Sequence, residues 1–262
     1  MPKLGRVSII GAGPGPADLL TVRAVRRLRE AEVVLHDDLV SPDVLSLCSA
    51  TAQVVNVGKR CGRRGFSQEQ INQLMIQYAR LGREITRLKS GDPAVFGRLG
   101  EELDALREAG IEFEVIPGVT AVTAAAAAAG LTLTDRRSAS SLLVVTPHSA
   151  RDAAPRQLLD LTRTTVAVYM PGPDYGQTGR ELMQAGIDST TPCVAVSAAG
   201  RPGQQVRALA LGELEQARDI PAPAVLIVRR VAEFAGDKNV SPSLASECVL
   251  CADAASECPA HP

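Results

Sequence analysis

Short apolar runs alternate with amphipathic segments along most of this chain, a pattern that predicts strands and helices in alternation. The first apolar run, residues 7–10, ends at a glycine-rich turn, and leucine and valine then recur at helical spacing over residues 18–30. Repetition of this unit up to Pro117-Gly118 is typical of a parallel α/β sheet. The predicted strands of this part are residues 7–10, 33–38, 53–57, 84–88 and 113–116.

Capping residues mark the ends of several predicted helices. Ser67 precedes a helix over residues 68–81, and Gln70 at its third position completes a capping box. Ser41 before Pro42 opens a short helix in the same way. Asp92 before Pro93 predicts a helix that starts at the proline and continues to about residue 109, where Gly110 ends it.

The pattern changes after Pro117-Gly118. A helix with six consecutive alanines is predicted over 120–129, and the later connections are shorter, which favours a mixed sheet. We therefore expect an α/β fold of two α/β domains, residues 1–117 and 118–235, with a ligand-binding cleft between them, and a disordered tail over 236–262. The later strands are predicted at 141–146, 165–170, 193–197, 206–211 and 224–230, and helices near 155–161, 178–186 and 212–218.

Composition removes several classes of function. Lysine and arginine number 28 against 29 acidic residues, so the chain has no net attraction for nucleic acid or an anionic membrane. No apolar run reaches the ~20 residues of a membrane span, and residues 1–6 lead directly into a strand, so we expect no signal peptide and a cytoplasmic protein. Six cysteines in 262 residues do not form a compact disulfide framework. The tail contains Cys248, Cys251, Cys258 and His261, but their short spacing without a scaffold does not favour a metal site.

The turns after the first two strands are candidates for ligand binding. Gly11 to Gly15 partly matches a dinucleotide-binding fingerprint, but Pro14 and Pro16 remove amides that a pyrophosphate would use, so a bulkier, non-phosphate ligand fits better. Asp37 follows the second strand. It is either a carboxylate at the ligand-binding rim of the sheet, or the start of a solvated loop, or a cap of the helix near Ser41-Pro42.

Two further loops carry charge. Residues 58–65 contain four cations on a glycine-rich loop, which is either an anion-docking surface or an ordinary solvated loop. Residues 87–102 break at Ser90-Gly91-Asp92-Pro93 and resume with Arg98 and Glu101, three residues apart on one helical face. That stretch is either a binding site or a well-capped loop. The four cations of the first loop are Lys59, Arg60, Arg63 and Arg64.

Seven segments of the chain, taken in order, resemble the tetrapyrrole methylases. The resemblance covers about residues 6–231 and rests on the order of the segments, since none is specific alone. The segments are Gly11-Ala12-Gly13-Pro14-Gly15, Leu39-Val40-Ser41-Pro42, Val57-Gly58-Lys59-Arg60, Gln68-Glu69-Gln70-Ile71-Asn72, Gly91-Asp92-Pro93 with Phe96-Gly97-Arg98, Pro117-Gly118-Val119-Thr120-Ala121, and Tyr169-Met170.

The resemblance implies a homodimer that binds S-adenosylmethionine between two α/β domains. It also implies methylation of the tetrapyrrole uroporphyrinogen III at two ring carbons, giving precorrin-2 for sirohaem or cobalamin synthesis. The chain departs from the family pattern at Ser90, Leu99 and Asp135. Carried over by position, the cofactor contacts are Pro14, Ser90, Gly91, Asp92, Val95, Thr120, Ala121, Met170 and Gly200; Asp37 is the proton acceptor, Lys59 the proton donor, and Arg98, Glu101 and Arg136 hold or act on the tetrapyrrole.

Other functions remain open from the sequence. One is a sister methyltransferase that acts on a later corrin precursor, since an alanine-rich helix also occurs there. A ribosomal-RNA or diphthamide methylase of the same fold is another, as is a relative that binds the cofactor without turnover. A nicotinamide-dependent oxidoreductase has support only from the turn at Gly11–Gly15.

Overall fold

The computed structural model describes residues 4–58, 65–147, 161–217 and 219–229, and the chain divides into two compact units. The first unit runs to Gly118 and the second begins at Val119. Within the described ranges, no helix combines the length and the apolar character needed to cross a membrane. The predicted tail, residues 236–262, lies outside the described residues.

The first unit is a parallel five-stranded sheet in the order β3-β2-β4-β1-β5, with helices on both faces. This confirms the alternating pattern of its sequence. Its strands are β1 (Val7–Gly11), β2 (Val33–His36), β3 (Gln53–Asn56), β4 (Ile85–Lys89) and β5 (Phe113–Ile116). Its helices are α1 (Val22–Glu30), α2 (Pro42–Leu45), α3 (Gln68–Arg80) and α4 (Leu99–Glu108).

Alternate residues of the central strands pack into two separate cores. Val33 and Leu35 point to the face covered by α3 and α4, where Met75 and Leu106 are fully buried. Val34, between them, points to the opposite face, against α1 and α2. Because both faces are covered, β1 and β2 carry apolar residues on both sides rather than on alternate positions only, as is typical of buried parallel strands.

The second unit is a mixed five-stranded sheet in the order β6-β7-β10-β8-β9, which confirms the prediction of a mixed sheet. Only β6 and β7 pair in parallel; the other pairs are antiparallel. Helix α5 (Ala121–Ala128) packs against β8 and β10, and α6 (Tyr175–Gln184) packs on a core that includes Leu182 and Leu226. The strands are β6 (Ser141–Val145), β7 (Thr164–Tyr169), β8 (Pro192–Ser197), β9 (Gln205–Ala210) and β10 (Ala224–Val228).

Several predicted helices differ in their limits. The helix expected over 18–30 is a 3-10 turn, Ala17–Leu19, followed by α1, because Thr21 takes an extended conformation and caps α1 through its side chain. The helix expected at 212–218 is a 3-10 helix, Leu211–Gln216. The helix expected at 178–186 begins earlier, at Tyr175, because the Asp174 side chain caps it by accepting a hydrogen bond from the Gln177 backbone N–H. Of the helix expected at 155–161, only residue 161 is described.

The predicted role of Asp92 as a helix cap is wrong. Helix α4 begins at Leu99, seven residues later, and its N-cap is Arg98 in the left-handed conformation, with φ 54°. Phe96 also takes a left-handed φ of 52°, so the backbone over residues 93–98 cannot continue as a helix from Pro93. This segment lies directly after β4, where a ligand site was expected.

Candidate active site

Three glycines meet where β1, β4 and β5 end. A Cβ on Gly11 would lie 2.6 Å from the backbone nitrogen of Gly118 and 2.7 Å from the carbonyl oxygen of Gly91. Gly13 and Gly91 both have left-handed φ, 68° and 67°, and exchange two backbone hydrogen bonds of 3.2 and 2.8 Å. Only glycine allows this approach. The turn that contains Pro14 therefore lies against the turn of Ser90, Gly91 and Asp92.

Asp92 ties this glycine cluster together. Its Oδ2 accepts a 3.0 Å hydrogen bond from the Gly118 backbone N–H, and its Oδ1 accepts one of 2.8 Å from Ala94. The Asp92 carbonyl accepts a further bond from the N–H of Val95. Ser90, Gly91, Asp92 and Val95, which were predicted to contact the cofactor, thus form one loop that is fixed through its own backbone. Ser90 Oγ is enclosed and makes no hydrogen bond within the described residues.

Arg98 and Glu101 lie beyond this loop and form an exposed, bidentate ion pair. Nε and Nη2 of Arg98 each lie 2.7 Å from a Glu101 carboxylate oxygen. The hydrogen bonds from Arg98 lower the pKa of Glu101, and the same bonds raise the pKa of Arg98. Leu99, which departs from the family pattern, packs against the core under α3 and α4. Both predicted tetrapyrrole contacts of this helix are therefore exposed and charged.

The structure places Asp37 beside the same loop. Its Oδ1 lies 2.5 Å from Nη2 of Arg87, and its Oδ2 accepts a 3.3 Å hydrogen bond from the Ser90 backbone N–H. The Asp37 side chain is 31% exposed, whereas Arg87 is buried. Asp37 is therefore a charged group at the carboxyl edge of the sheet, held at both oxygens and still accessible.

Sequence reasoning missed a buried charge cluster beneath Asp37. Arg87 and Lys89 on β4 both reach Oε1 of Glu102 on α4, at 3.0 and 2.8 Å, and Glu102 has no solvent exposure. Burial and the nearby Arg87 lower the pKa of Lys89 against the attraction of Glu102. Burial also lowers the pKa of Arg87, but Asp37 and Glu102 outweigh it and hold that pKa above its ordinary value. A signal was available, since Arg87 and Lys89 place two cations two residues apart, in and directly after a strand that was predicted to belong to a parallel sheet.

In the second unit, the hydroxyl of Tyr169 positions the start of α5. It accepts a 2.9 Å hydrogen bond from the backbone N–H of Val122 and bonds the Thr120 hydroxyl. The Thr120 side chain does not cap α5. The Tyr169 hydroxyl instead accepts the hydrogen bond from a backbone N–H in the first turn of that helix. Thr120 and Ala121 were predicted to contact the cofactor. Tyr169 belongs to one of the seven family-like segments, but the sequence predicted no role for its side chain.

The remaining predicted cofactor contacts of this unit follow strands. Met170, directly after β7, has a left-handed φ of 48° and is 46% exposed, and Ala198, directly after β8, has φ 49°. Gly200 donates its backbone N–H to Oε1 of Gln204 at 2.7 Å. Non-glycine residues in this region of φ cost about 1–3 kcal/mol each and cluster at functional sites. Met170 and Gly200 therefore lie on strained or tightly turned backbone at strand ends.

Arg136 lies in a tight turn closed by two 2.8 Å backbone hydrogen bonds between Asp135 and Ala139. Its neighbour Arg137 binds Asp135 through both the backbone N–H and the guanidinium, and these bonds lower the pKa of Asp135 to about 2. Arg136 is exposed and forms no hydrogen bond or ion pair with the part of the chain that the structure describes. Of the two adjacent arginines, Arg136 is the one available to an anion.

Some predicted residues lie outside the described ranges. Lys59, the predicted proton donor, is one, and so are Arg60, Arg63 and Arg64 of the basic loop. The cysteines and histidine of the tail are others. Among the residues that are described, no group of three or more histidine, cysteine, aspartate or glutamate side chains could hold a metal ion.

Comparison with known proteins identifies the class. The family model for tetrapyrrole (corrin/porphyrin) methylases matches residues 6–215, and the chain belongs to this family. Siroheme synthase 1 of Klebsiella pneumoniae is 43% identical over 233 residues, which are 88% of this chain and 50% of that protein. The chain thus spans about half the length of the siroheme synthases it matches.

Other relatives match over most of both chains. Uroporphyrinogen-III C-methyltransferase of Paracoccus denitrificans is 42% identical over 244 residues, 89% of this chain and 84% of that protein. A crystal structure of uroporphyrin-III C-methyltransferase from Thermus thermophilus superposes with a TM-score of 0.74 at 40% identity, over 86% of this chain and 92% of that one. Another structure of the Thermus enzyme, complexed with S-adenyl homocysteine, has a TM-score of 0.71 at 35% identity over the same shares of the two chains.

Proposed function

We propose that this protein transfers methyl groups from S-adenosylmethionine to two ring carbons of uroporphyrinogen III and so forms precorrin-2, for sirohaem or cobalamin synthesis. The observation that carries the proposal is the placement, at one edge of the first sheet, of a glycine loop beside an accessible carboxylate, Asp37, and an exposed cation, Arg98. The likeness to the Paracoccus and Thermus enzymes over most of their length supports the choice of substrate.

The residues present fit the cofactor. Close contact among Gly11, Gly91 and Gly118 leaves no room for a Cβ, so a ligand could approach the main chain of these turns without meeting a side chain. Ser90 adds an enclosed hydroxyl that lacks a partner within the described ranges. We assign Pro14, Ser90, Gly91, Asp92 and Val95 of the first unit to this contact. From the second unit we assign Thr120, Ala121, Met170 and Gly200.

The chemistry requires little covalent participation by the protein. S-adenosylmethionine, when bound, supplies an activated sulfonium methyl, and a reduced pyrrole is an electron-rich carbon nucleophile. Alignment of the two reactants can contribute ~7–11 kcal/mol to lowering the barrier. We assign proton removal from the methylated ring to the Asp37 carboxylate, which is accessible and charged. Lys59 stays a prediction for the proton donor.

The chain has no net positive charge, so we assign binding of the anionic substrate to individual cations near the site. Uroporphyrinogen III carries many carboxylates, and arginine is the side chain best matched to carboxylate geometry. Arg136 is exposed and uncommitted within the described structure, and Arg98 shares its charge with Glu101. We assign both arginines to the substrate carboxylates and Glu101 to holding Arg98. A homodimer and a cytoplasmic location belong to the same proposal.

The test is an anaerobic incubation with uroporphyrinogen III and S-adenosylmethionine, followed by mass spectrometry of the tetrapyrrole. The expected product carries two added methyl groups. A protein that binds S-adenosylhomocysteine but leaves uroporphyrinogen III unchanged contradicts the proposed substrate. A parallel incubation with precorrin-2 separates the sister activity on a later corrin precursor. Tight binding of NAD without binding of S-adenosylhomocysteine would instead support an oxidoreductase.

A further inference from the structure

Arg87 connects the buried charge cluster to the accessible edge of the site. The strand β4 places Arg87 and Lys89 two residues apart, on one face of the sheet, and each is only 2% exposed. The Arg87 Nε donates to Glu102, while its Nη2 reaches Asp37 and its Nη1 lies 3.3 Å from the carbonyl oxygens of Leu35 and Leu88. Every guanidinium nitrogen thus has a fixed partner.

Glu102 holds the other side of this arrangement. One carboxylate oxygen, Oε1, accepts from Arg87, Lys89 and the side-chain amide of Gln68 on α3. The second oxygen, Oε2, is buried and has no hydrogen-bond partner within the described ranges. Two cations and two anions, counting Asp37, therefore balance in an enclosed space.

A cluster of this kind is a poor source of net stability. Removing charges from water costs several kcal/mol per ion, and apolar replacements of similar volume are often equally stable or more so. What the cluster does supply is a fixed orientation of the Arg87 guanidinium. Arg87 cannot move without losing its ion pair with Glu102 and its bonds to two backbone carbonyls, so the Asp37 carboxylate meets a cation at a fixed place while the Ser90 amide bonds its other oxygen.

We propose that Arg87 is a positioning residue for Asp37: its guanidinium orients the carboxylate, and Glu102 holds Arg87 in the position that this requires. The inference rests on the proposed role of Asp37 as proton acceptor. Charged groups that surround Asp37 are Arg87 and Lys89 on β4 and Glu102 on α4. On its own strand, Nδ1 of His36 lies 2.9 Å from the Asp37 backbone oxygen.

The main test is the double variant Arg87→Gln/Glu102→Gln, which removes one cation and one anion and keeps the cluster balanced. Its matched control is Arg107→Gln/Asp104→Asn, which removes the same charges from an exposed pair on α4, 2.9 Å apart. The readouts are thermal unfolding, the affinity for S-adenosylhomocysteine by calorimetry, and kcat and KM, determined separately, for anaerobic methyl transfer.

For the cluster variant we expect kcat to fall at least tenfold while KM for uroporphyrinogen III stays within threefold, because Asp37 loses its orientation but the substrate-binding arginines are unchanged. Affinity for S-adenosylhomocysteine stays within threefold, because Asp92 and the Gly13–Gly91 pair still hold the loop. The control changes none of these. A kcat within twofold of wild type in a folded cluster variant overturns the proposal. Full activity of Asp37→Asn instead overturns the proposed role of Asp37, so the two failures are distinguishable.

A second measurement covers the case in which the double variant does not fold. Arg87→Lys keeps the buried cation but cannot reach Glu102 and Asp37 together. In ¹⁵N–¹H spectra without substrate, the Ser90 amide peak is expected to move as it does in Asp37→Asn, since Asp37 accepts from that amide. The peak of the Gly118 amide, which donates its hydrogen bond to Asp92, is expected to keep its chemical shift. An unmoved Ser90 peak in Arg87→Lys contradicts the positioning role.

Discussion

The backbone N–H of Gly118 donates a 3.0 Å hydrogen bond to Oδ2 of Asp92, which joins the loop after β4 to the turn after β5. The other carboxylate oxygen accepts from Ala94 at 2.8 Å. Asp92 therefore organises the glycine loop rather than a helix. Because both oxygens accept from backbone amides, the carboxylate holds in one geometry the main chain that we assign to the cofactor.

Asp92→Asn tests this arrangement. The amide nitrogen of asparagine cannot accept a hydrogen bond, so one backbone N–H loses its partner, at a cost of about 1–3 kcal/mol. We expect affinity for S-adenosylhomocysteine, measured by calorimetry, to fall about tenfold. Asp104→Asn, an exposed aspartate on α4, is the control and leaves affinity unchanged. Equal affinity in Asp92→Asn and wild type would show that the loop does not depend on this carboxylate.

Gly11→Ala tests the close approach of the three strand ends. Its Cβ would lie 2.6 Å from the backbone of Gly118, which has no flexible side chain to move aside. We expect the free energy of unfolding to fall by about 2 kcal/mol or more. Gly100→Ala is the control, since a Cβ there meets nothing within 4 Å and lies in α4. That change is expected to stabilise by up to about 1 kcal/mol. Urea unfolding measures both, and similar stabilities would contradict the packing described.

Two adjacent arginines give a matched test of substrate binding. Arg136→Ala removes the uncommitted cation, and we expect KM for uroporphyrinogen III to rise about tenfold, as for a lost charge-assisted contact of about 1.4 kcal/mol. Affinity for S-adenosylhomocysteine is expected to be unchanged. Arg137→Ala removes the guanidinium that binds Asp135 but keeps the backbone bond to that residue, so KM changes less than twofold. An equal effect of the two substitutions would refute the assignment of Arg136.

The buried side chains of Cys193 and Tyr175 are expected to make the free energy of unfolding fall at high pH. Burial, with a smaller effect of Glu213, raises the pKa of Cys193 to about 12, and burial raises the pKa of Tyr175 to about 12. Their ordinary values are 9.0 and 10.0, so the unfolded chain releases these protons first. The stability they contribute is complete below pH 9 and is lost progressively between pH 9 and 12, by up to about 1.4 kcal/mol per pH unit for each group.

The measurement is urea unfolding under reducing conditions between pH 8 and 11. We expect the free energy of unfolding of Cys193→Ala to decline less steeply with pH than that of wild type. The slopes are compared rather than the absolute values, because removing the thiol also leaves a small cavity in the core. Equal slopes of the free energy of unfolding against pH in the two proteins would mean that folding does not raise the pKa of the Cys193 thiol.

Local rules predicted most of the fold. The strands of the first unit lie within about two residues of their predicted limits, because short apolar runs bounded by glycine and polar residues, in alternation with helices, are typical of a parallel sheet. The capping box of Ser67 and Gln70 is present. The start of α4 was mispredicted for a nonlocal reason: Asp92 binds the amide of Gly118, 26 residues away, and no cap rule anticipates that partner.

The site was predicted less completely than the fold. Motif order placed Asp37, Ser90 and Arg98, and the structure locates them at the carboxyl edge of the first sheet or in the loop beyond it. Glu102 was missed because it resembles any acidic residue in the first turn of a helix. Its burial depends on Arg87 and Lys89, which β4 presents from the adjacent sheet. Such pairing is set by packing and has no local sequence signature.

The most direct test of the proposed function follows the methyl groups themselves. Protein, uroporphyrinogen III and S-adenosylmethionine labelled with ¹³C in the methyl group are incubated without oxygen, and the products are examined by ¹³C NMR. We predict two labelled methyl signals on ring carbons and two equivalents of S-adenosylhomocysteine for each tetrapyrrole consumed. Label that stays on S-adenosylmethionine, while the protein binds S-adenosylhomocysteine, would contradict the proposed function.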